Sequence, residues 1–112
     1  MKRDYNSEKL HIWYIDNNDE AVAAIMLKEM EDNIGKIENV CCHEQFRGKG
    51  LAQKILDQVI KYAKEINITK LRLGTYDSLQ RAIGFYRKNG FVEKEEEYNE
   101  QQKARYYEKL LN

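Results

Sequence analysis

The apolar run ending at Val40-Cys41-Cys42 gives way to the polar turn His43-Glu44-Gln45-Phe46-Arg47, then to two glycines flanking a lysine, and then to a long amphipathic pattern from Leu51. This succession predicts a strand, a tight turn and a helix, and it constrains the fold more than any other stretch. The first turn of a helix has N–H groups without intrahelical partners and a partial positive charge, so it receives anions, phosphates above all. Gly48 and Gly50 let a ligand approach the main chain, and Arg47 and Lys49 add positive charge beside it. The stretch reads as a loop for a phosphorylated cofactor.

Two known phosphate loops do not fit. A P-loop needs Ser or Thr after Gly-Lys to hold magnesium, and Gly50 stands there. The dinucleotide fingerprint needs a third glycine and an acidic residue after a parallel βαβ unit, and neither is found. The pattern that fits is Gln/Arg-x-x-Gly-x-Gly/Ala, as Gln45-Phe46-Arg47-Gly48-Lys49-Gly50 with Leu51-Ala52 behind it.

At 112 residues the chain is read as one domain over 1–112. Lys+Arg and Asp+Glu balance at 19 each, which leaves no electrostatic footprint for nucleic acid or a membrane surface. No apolar stretch has the length of a membrane span, and no secretory signal is read at the start. The two cysteines are the neighbours Cys41 and Cys42, which bridge each other only under strain, so reduced thiols and a cytoplasmic location are expected. Two cysteines and two histidines, His11 and His43, show no metal-ligand spacing, and no metal is expected.

Residues 1–9 are polar and predict a mobile start. Leu10 to Ile15, rich in β-branched and aromatic residues, predicts a strand, and Asp16-Asn17-Asn18-Asp19 a turn. Ala21 to Met30 suits a helix by composition and a strand by hairpin spacing; the spacing favours the strand. Asp32-Asn33 with Gly35 makes a turn, and Lys36 to Cys42 a third strand. Ala52, Ile55, Leu56, Val59, Ile60, Ala63 and Ile66 recur at helical spacing as far as Asn67, and Lys70 to Thr75 is a further strand. Asp77 or Ser78 is placed to cap a second helix carrying Leu79, Ala82, Ile83 and Tyr86, which Asn89-Gly90 ends. Phe91 to Tyr98 and Ala104 to Leu111 predict a closing hairpin whose Glu93, Glu95, Glu96 and Glu97 form a solvated edge. The order is βββ-αβ-αββ, an α+β fold with a mixed, mostly antiparallel sheet and two helices.

Ala82-Ile83-Gly84-Phe85-Tyr86-Arg87-Lys88-Asn89-Gly90-Phe91 is similar to the second signature of the GNAT superfamily of acyl-CoA-dependent N-acyltransferases, Ala-x-x-apolar-Tyr-x-Lys-x-Gly-Phe. Gln45 to Ala52 resembles that family's pyrophosphate loop, and Tyr106 to Leu110 its last strand. The chain departs from the family in having Glu44 where a proline is common and Leu79 where an asparagine is common. It looks like a short form without the family's N-terminal strand and the two helices that wall the acceptor site.

The resemblance implies a GNAT-like fold and an enzyme that moves acetyl from acetyl-CoA to a primary amine by direct attack in a ternary complex. It implies that Val40, Cys41 and Cys42 pair with the pantetheine arm, while Gln45, Phe46, Arg47, Gly48, Lys49, Gly50, Leu51 and Ala52 form the pyrophosphate loop. Tyr86 matches the family tyrosine that protonates the departing thiolate; the other reading is a buried tyrosine with its hydroxyl satisfied elsewhere. An amine with an ordinary pKa of about 10.4 is neutral in roughly one molecule per thousand at pH 7, so a base is needed. Glu38 is the candidate, an exposed strand glutamate being the alternative, and His43 stands second at the loop entry. Cys41 and Cys42 fall on opposite faces of one strand and read as small buried hydrophobes rather than nucleophiles. The alternative function is a non-catalytic module that holds acyl-CoA or a protein partner. With no strand before it, Leu10 to Ile15 is expected to be a bare sheet edge, which predicts a homodimer across it.

Overall fold

The computed structural model describes residues 2–6, 9–18, 20–43 and 46–112, with 2–6, Asn39 and Cys41 described by backbone alone. The strands are β1 Lys2–Asn6, β2 Leu10–Asn17, β3 Glu20–Glu29, β4 Ile34–Cys42, β5 Lys70–Tyr76, β6 Val92–Glu93 and β7 Ala104–Leu110; the helices are α1 Leu51–Glu65 and α2 Gln80–Lys88. They form one seven-stranded sheet in the order β1-β2-β3-β4-β5-β7-β6. All neighbours are antiparallel except β4 and β5, which the α1 crossover makes parallel.

Alternation along the strands sends Trp13, Ile25, Leu27, Ile37, Leu71, Leu73 and Tyr107 to one face. There they meet Ile55, Leu56, Val59 and Ala63 of α1 and Ile83 and Tyr86 of α2 in one apolar cluster. Burying Ile55, Leu56 and Val59, each fully enclosed, is worth about 1.5–3 kcal/mol apiece. Gly35 belongs to β4 rather than to the turn before it, since it pairs with Glu29 of β3 and Leu71 of β5, and a side chain there has no room. A Cβ on Gly35 would stand 2.9 Å from Leu27 Cδ1 and 3.0 Å from both Ile68 Cδ1 and Leu71 Cδ2. The opposite face, with Ile12, Tyr14, Met26, Lys28, Lys36, Glu38, Arg72 and Tyr106, bears no helix among the described residues.

Three expectations from sequence change. The start is not wholly irregular: Lys2–Asn6 pairs with β2 in the register Lys2↔Tyr14, Arg3↔Trp13 and Asn6↔His11. Its polar residues hide it from propensity, and what recruits it is the row of backbone donors and acceptors along β2. The Leu10–Ile15 edge is therefore covered, and the homodimer expected across it loses its premise.

Secondly, Phe91 to Tyr98 is not a full strand. Only Val92–Glu93 pairs with β7, and Glu95–Glu97 makes a single 3-10 turn. Glu93 and Glu97 are held by arginines, while Glu95 and Glu96 stay exposed. Glu93 accepts from Arg105 Nη1 at 2.7 Å, Glu97 accepts from Arg72, and Lys94 Nζ lies 3.3 Å from Glu96. Thirdly, neither Asp77 nor Ser78 caps α2, whose N-cap is Leu79 with no side-chain bond. Asp77 accepts instead from the Tyr98 hydroxyl at 2.8 Å and from Arg105. The Tyr98 hydroxyl first, and Arg105 with it, holds the Asp77 carboxyl below the ordinary carboxylate range. This cluster ties the start of α2 to β7.

Candidate active site

The site begins where β4 and β5 part. Their parallel pairing runs from Ile34↔Lys70 to Ile37↔Leu73 and stops. Beyond that point β4 stays paired with β3 as far as Cys42, and β5 with β7 as far as Tyr76. Each strand is thus held by its outer neighbour, and the facing edges 38–42 and 74–76 bound an unpaired crevice in mid-sheet. A β-bulge sits at its apex. Met26 pairs with Glu38 and Ala24 with Cys41, so Ile25 alone faces Asn39 and Val40. The extra residue reverses the alternation: Ile37 packs into the core, and after the bulge Val40 and Cys42 do so. Bulges bend a strand, which helps to carry β4 away from β5.

The glycine turn closes the wide end of the crevice. Gly48 and Gly50 hold φ of 79° and 74°, a left-handed region that residues with a Cβ enter at a cost, and a Cβ on either would meet nothing within 4 Å. The turn is therefore an open concavity. Gly50 is the N-cap of α1 and offers no side chain, so no side-chain bond caps the helix and the first N–H groups stay available. Arg47 Nε donates to the Cys42 carbonyl at 3.2 Å, and Phe46 N donates to the His43 carbonyl at 2.8 Å, folding the turn back on the end of β4. Lys49 Nζ lies 5.3 Å above the Phe46 ring. Leu51 and Ala52 form the first turn of α1. With two exposed cations, an uncapped helix start and vacant space over two glycines, these residues fit a pyrophosphate. Gln45 lies outside the described residues.

Tyr86 lies in the core on the helix side of the sheet. It is 6% exposed, and its ring lies 6.4 Å from that of Tyr107, which pairs with Leu73, the last β5 residue bonded to β4. Burial raises its hydroxyl above the ordinary phenol value. The end of α2 is fixed by a Schellman motif: Phe91 N donates to the Tyr86 carbonyl and Gly90 N to that of Arg87, with Gly90 at φ 86°. Gln53 Nε2 donates to Asn89 Oδ1 at 2.7 Å and Asn89 Nδ2 to Gln53 Oε1 at 3.0 Å, clamping α2 to the helix that the glycine turn starts.

Glu38 lies at the crevice apex on the open face. It is the first β4 residue beyond the β5 pairing, and its carboxylate lies 3.3 Å from Lys36 Nζ. Glu38 therefore lies on the open face of the sheet and Tyr86 in the core on the helix side. His43 is exposed and stays at the loop entry, its ring 6.3 Å from Phe46. Cys42 packs on the core, with Sγ 3.8 Å from the His43 carbonyl. No group of side chains suited to a metal occurs among the described residues.

Sequence reasoning missed the bulge, the Gln53–Asn89 clamp and a groove of 610 Å³ on the open face of the sheet, lined in part by Lys28, Lys36, Arg72, Gly74 and Tyr106. The bulge has no sequence signal. Asn89 and Gln53 were legible only as a helix end and a polar helix face.

Comparison with known proteins agrees with this geometry. The profile of the Acetyltransferase (GNAT) family matches residues 1–91. Streptothricin acetyltransferase A of Bacillus subtilis (strain 168) is 28% identical over 81 residues, covering 72% of this chain and 46% of that protein, so the chain spans about half the length of this curated relative. A GNAT-family acetyltransferase from Staphylococcus aureus Mu50 superposes with a TM-score of 0.82 at 29% identity, covering 92% of this chain and 68% of the other. A Bacillus anthracis protein assigned as a streptothricin acetyltransferase, solved in complex with acetyl coenzyme A, superposes at 0.81 with 23% identity, over 96% of this chain and 66% of that one. With the family profile covering most of its length and both motifs standing on the elements described, this chain belongs to the GNAT acetyltransferase family.

Proposed function

We propose that this chain transfers an acetyl group from acetyl-CoA to a primary amine by direct attack in a ternary complex. The observation that carries this reading is the crevice between β4 and β5 with the uncapped glycine turn at its mouth, Glu38 standing at its apex on the open face. Arg47 to Leu51 hold the pyrophosphate through their N–H groups and the two cations. Val40, Cys41 and Cys42 pair with the pantetheine amides along the free edge of β4. An N–H at or next to Cys42 polarises the thioester carbonyl as negative charge grows on its oxygen.

The amine enters from the open face, where Glu38, directly or through a water, takes its proton. The amine nitrogen then bonds to the acetyl carbon, the carbon–sulfur bond breaks, and the departing thiolate takes a proton from the Tyr86 hydroxyl. Burial raises the Tyr86 pKa, so its hydroxyl is protonated when the thiolate departs and acts chiefly by hydrogen-bonding to the developing charge. Adjacent cysteines, which bridge each other only under strain, support a reducing, cytoplasmic setting.

The test is thiol release from acetyl-CoA across a panel of amines, with mass spectrometry of the products. Amine-dependent release with a matching acetylated product is the expected outcome. A thioester that is bound but stays intact with every amine would mark a holding module instead.

A further inference from the structure

Gly74 stands inside β5, where a glycine weakens a strand and offers no side chain to pack. It is not one of the glycines with positive φ, so its own conformation does not call for the residue. The neighbouring strand does. Gly74 pairs with Tyr106 of β7, and a Cβ on Gly74 would stand 3.1 Å from Tyr106 Cε1 and 3.3 Å from Tyr106 Cδ1. The Tyr106 ring therefore lies across the glycine, leaning from β7 over β5, and covers backbone that the glycine leaves bare. Leu71, Leu73 and Thr75 are buried on the helix side, so Gly74 and the ring over it belong to the open face. Tyr106 is half-buried, and it lines the groove on that face together with Gly74.

The place of this ring in the sheet gives it a use. Ile37 and Leu73 are the last bonded pair of β4 and β5, so Glu38 and Gly74 are the first residues on either side of the crevice. At this level Ile12 pairs with Met26 and Met26 with Glu38, and the Tyr106 ring stands across the crevice over Gly74. One carboxylate thus separates the apolar Met26 from an aromatic ring. The charges around the ring are met within the sheet: Lys36 Nζ lies 3.3 Å from Glu38, and Arg72 is bound by Glu97 and Glu108. What the ring adds is apolar surface and a π face, which attract carbon skeletons and ammonium groups alike. Bonded strands lie about 4.8 Å apart, so a molecule packed on the ring is within short reach of the apex where the bonding ends.

We propose that Tyr106 is a specificity-determining residue of the acceptor site. Its ring, given room by Gly74, packs against the carbons next to the reacting amine and selects primary amines borne on an apolar or aromatic skeleton over small polar ones. The assignment rests on the acetyl-transfer reading, with Glu38 at the end where the amine reacts.

The experiment compares phenethylamine with ethanolamine, two primary amines of similar base strength, as acceptors at saturating acetyl-CoA. It also titrates the CoA complex calorimetrically with phenethylamine. The variants are Tyr106→Phe, which keeps the ring, and Tyr106→Thr, which removes it but suits a strand. The wild type is expected to favour phenethylamine about tenfold in kcat/KM, a preference that Tyr106→Phe keeps. Tyr106→Thr is expected to lose the preference through a raised KM for phenethylamine, with kcat and acetyl-CoA affinity little changed. A wild type without the preference, or a preference that survives in Tyr106→Thr, overturns the proposal and leaves acetyl transfer standing. Phenethylamine that binds the CoA complex in the wild type and Tyr106→Phe but not in Tyr106→Thr, without thiol release from any amine, upholds the aromatic wall and defeats acetyl transfer. Neither binding nor turnover overturns both.

Discussion

Tyr86 has a packing role in the core and a chemical role proposed for its hydroxyl. Its ring is enclosed by Phe85, Phe91 and Tyr107, yet no described residue hydrogen-bonds its hydroxyl. Tyr86→Phe keeps the ring and removes only the oxygen. It is expected to lower kcat by roughly 10²-fold with acetyl-CoA affinity nearly unchanged, as stopped-assay kinetics and titration would read. The same burial makes a stability prediction. Because the folded-state pKa lies above the ordinary phenol value, the folded protein keeps a proton that the unfolded chain releases first. That contribution is whole below about pH 10 and is lost as the pH rises through the raised value. Urea midpoints should therefore fall more steeply with alkaline pH in the wild type than in Tyr86→Phe. Equal slopes would mean that Tyr86 is not buried as described. At this scale the second motif made Tyr86 legible, whereas Asp77 was misread as a cap because its partners, Tyr98 and Arg105, lie far along the chain.

Elements that follow periodicity were legible, and elements made by neighbours were not. The apolar stripe from Ala52 to Ile66 identified α1, and Asn89-Gly90 identified the end of α2. The β-bulge opposite Ile25, by contrast, depends on register between two strands, which no local pattern encodes. The acidic stretch after Val92 looked like an edge strand, but arginines of β5 and β7 hold it as a turn. Gly35 is an element-scale test of β4. Gly35→Ala forces a methyl against Leu27, Ile68 and Leu71, and it is expected to destabilise by about 1–3 kcal/mol with an unchanged urea m-value. An unaltered midpoint would show that β4 does not pack there as described.

The described residues form one sheet with both helices on one face and an unpaired crevice in its middle. Helix order and six of the seven strands followed from pattern, β6 being far shorter than expected, and two separate motifs in sequence order marked the glycine turn and α2. The strand order, with β7 between β5 and β6, and the addition of polar β1 to the β2 edge follow from long-range pairing that a single sequence does not display. The central claim is that the crevice and the glycine turn together hold acetyl-CoA. Its most direct test is thermal unfolding of the wild type and of Gly48→Asp with and without acetyl-CoA. Gly48→Asp places a negative carboxylate, and a Cβ at a φ of 79°, in the space left for the pyrophosphate. Acetyl-CoA at 100 times its dissociation constant is expected to stabilise the wild type by about 2.7 kcal/mol, a clear rise in Tm, and to leave Gly48→Asp unmoved. A wild-type Tm indifferent to millimolar acetyl-CoA would contradict the claim.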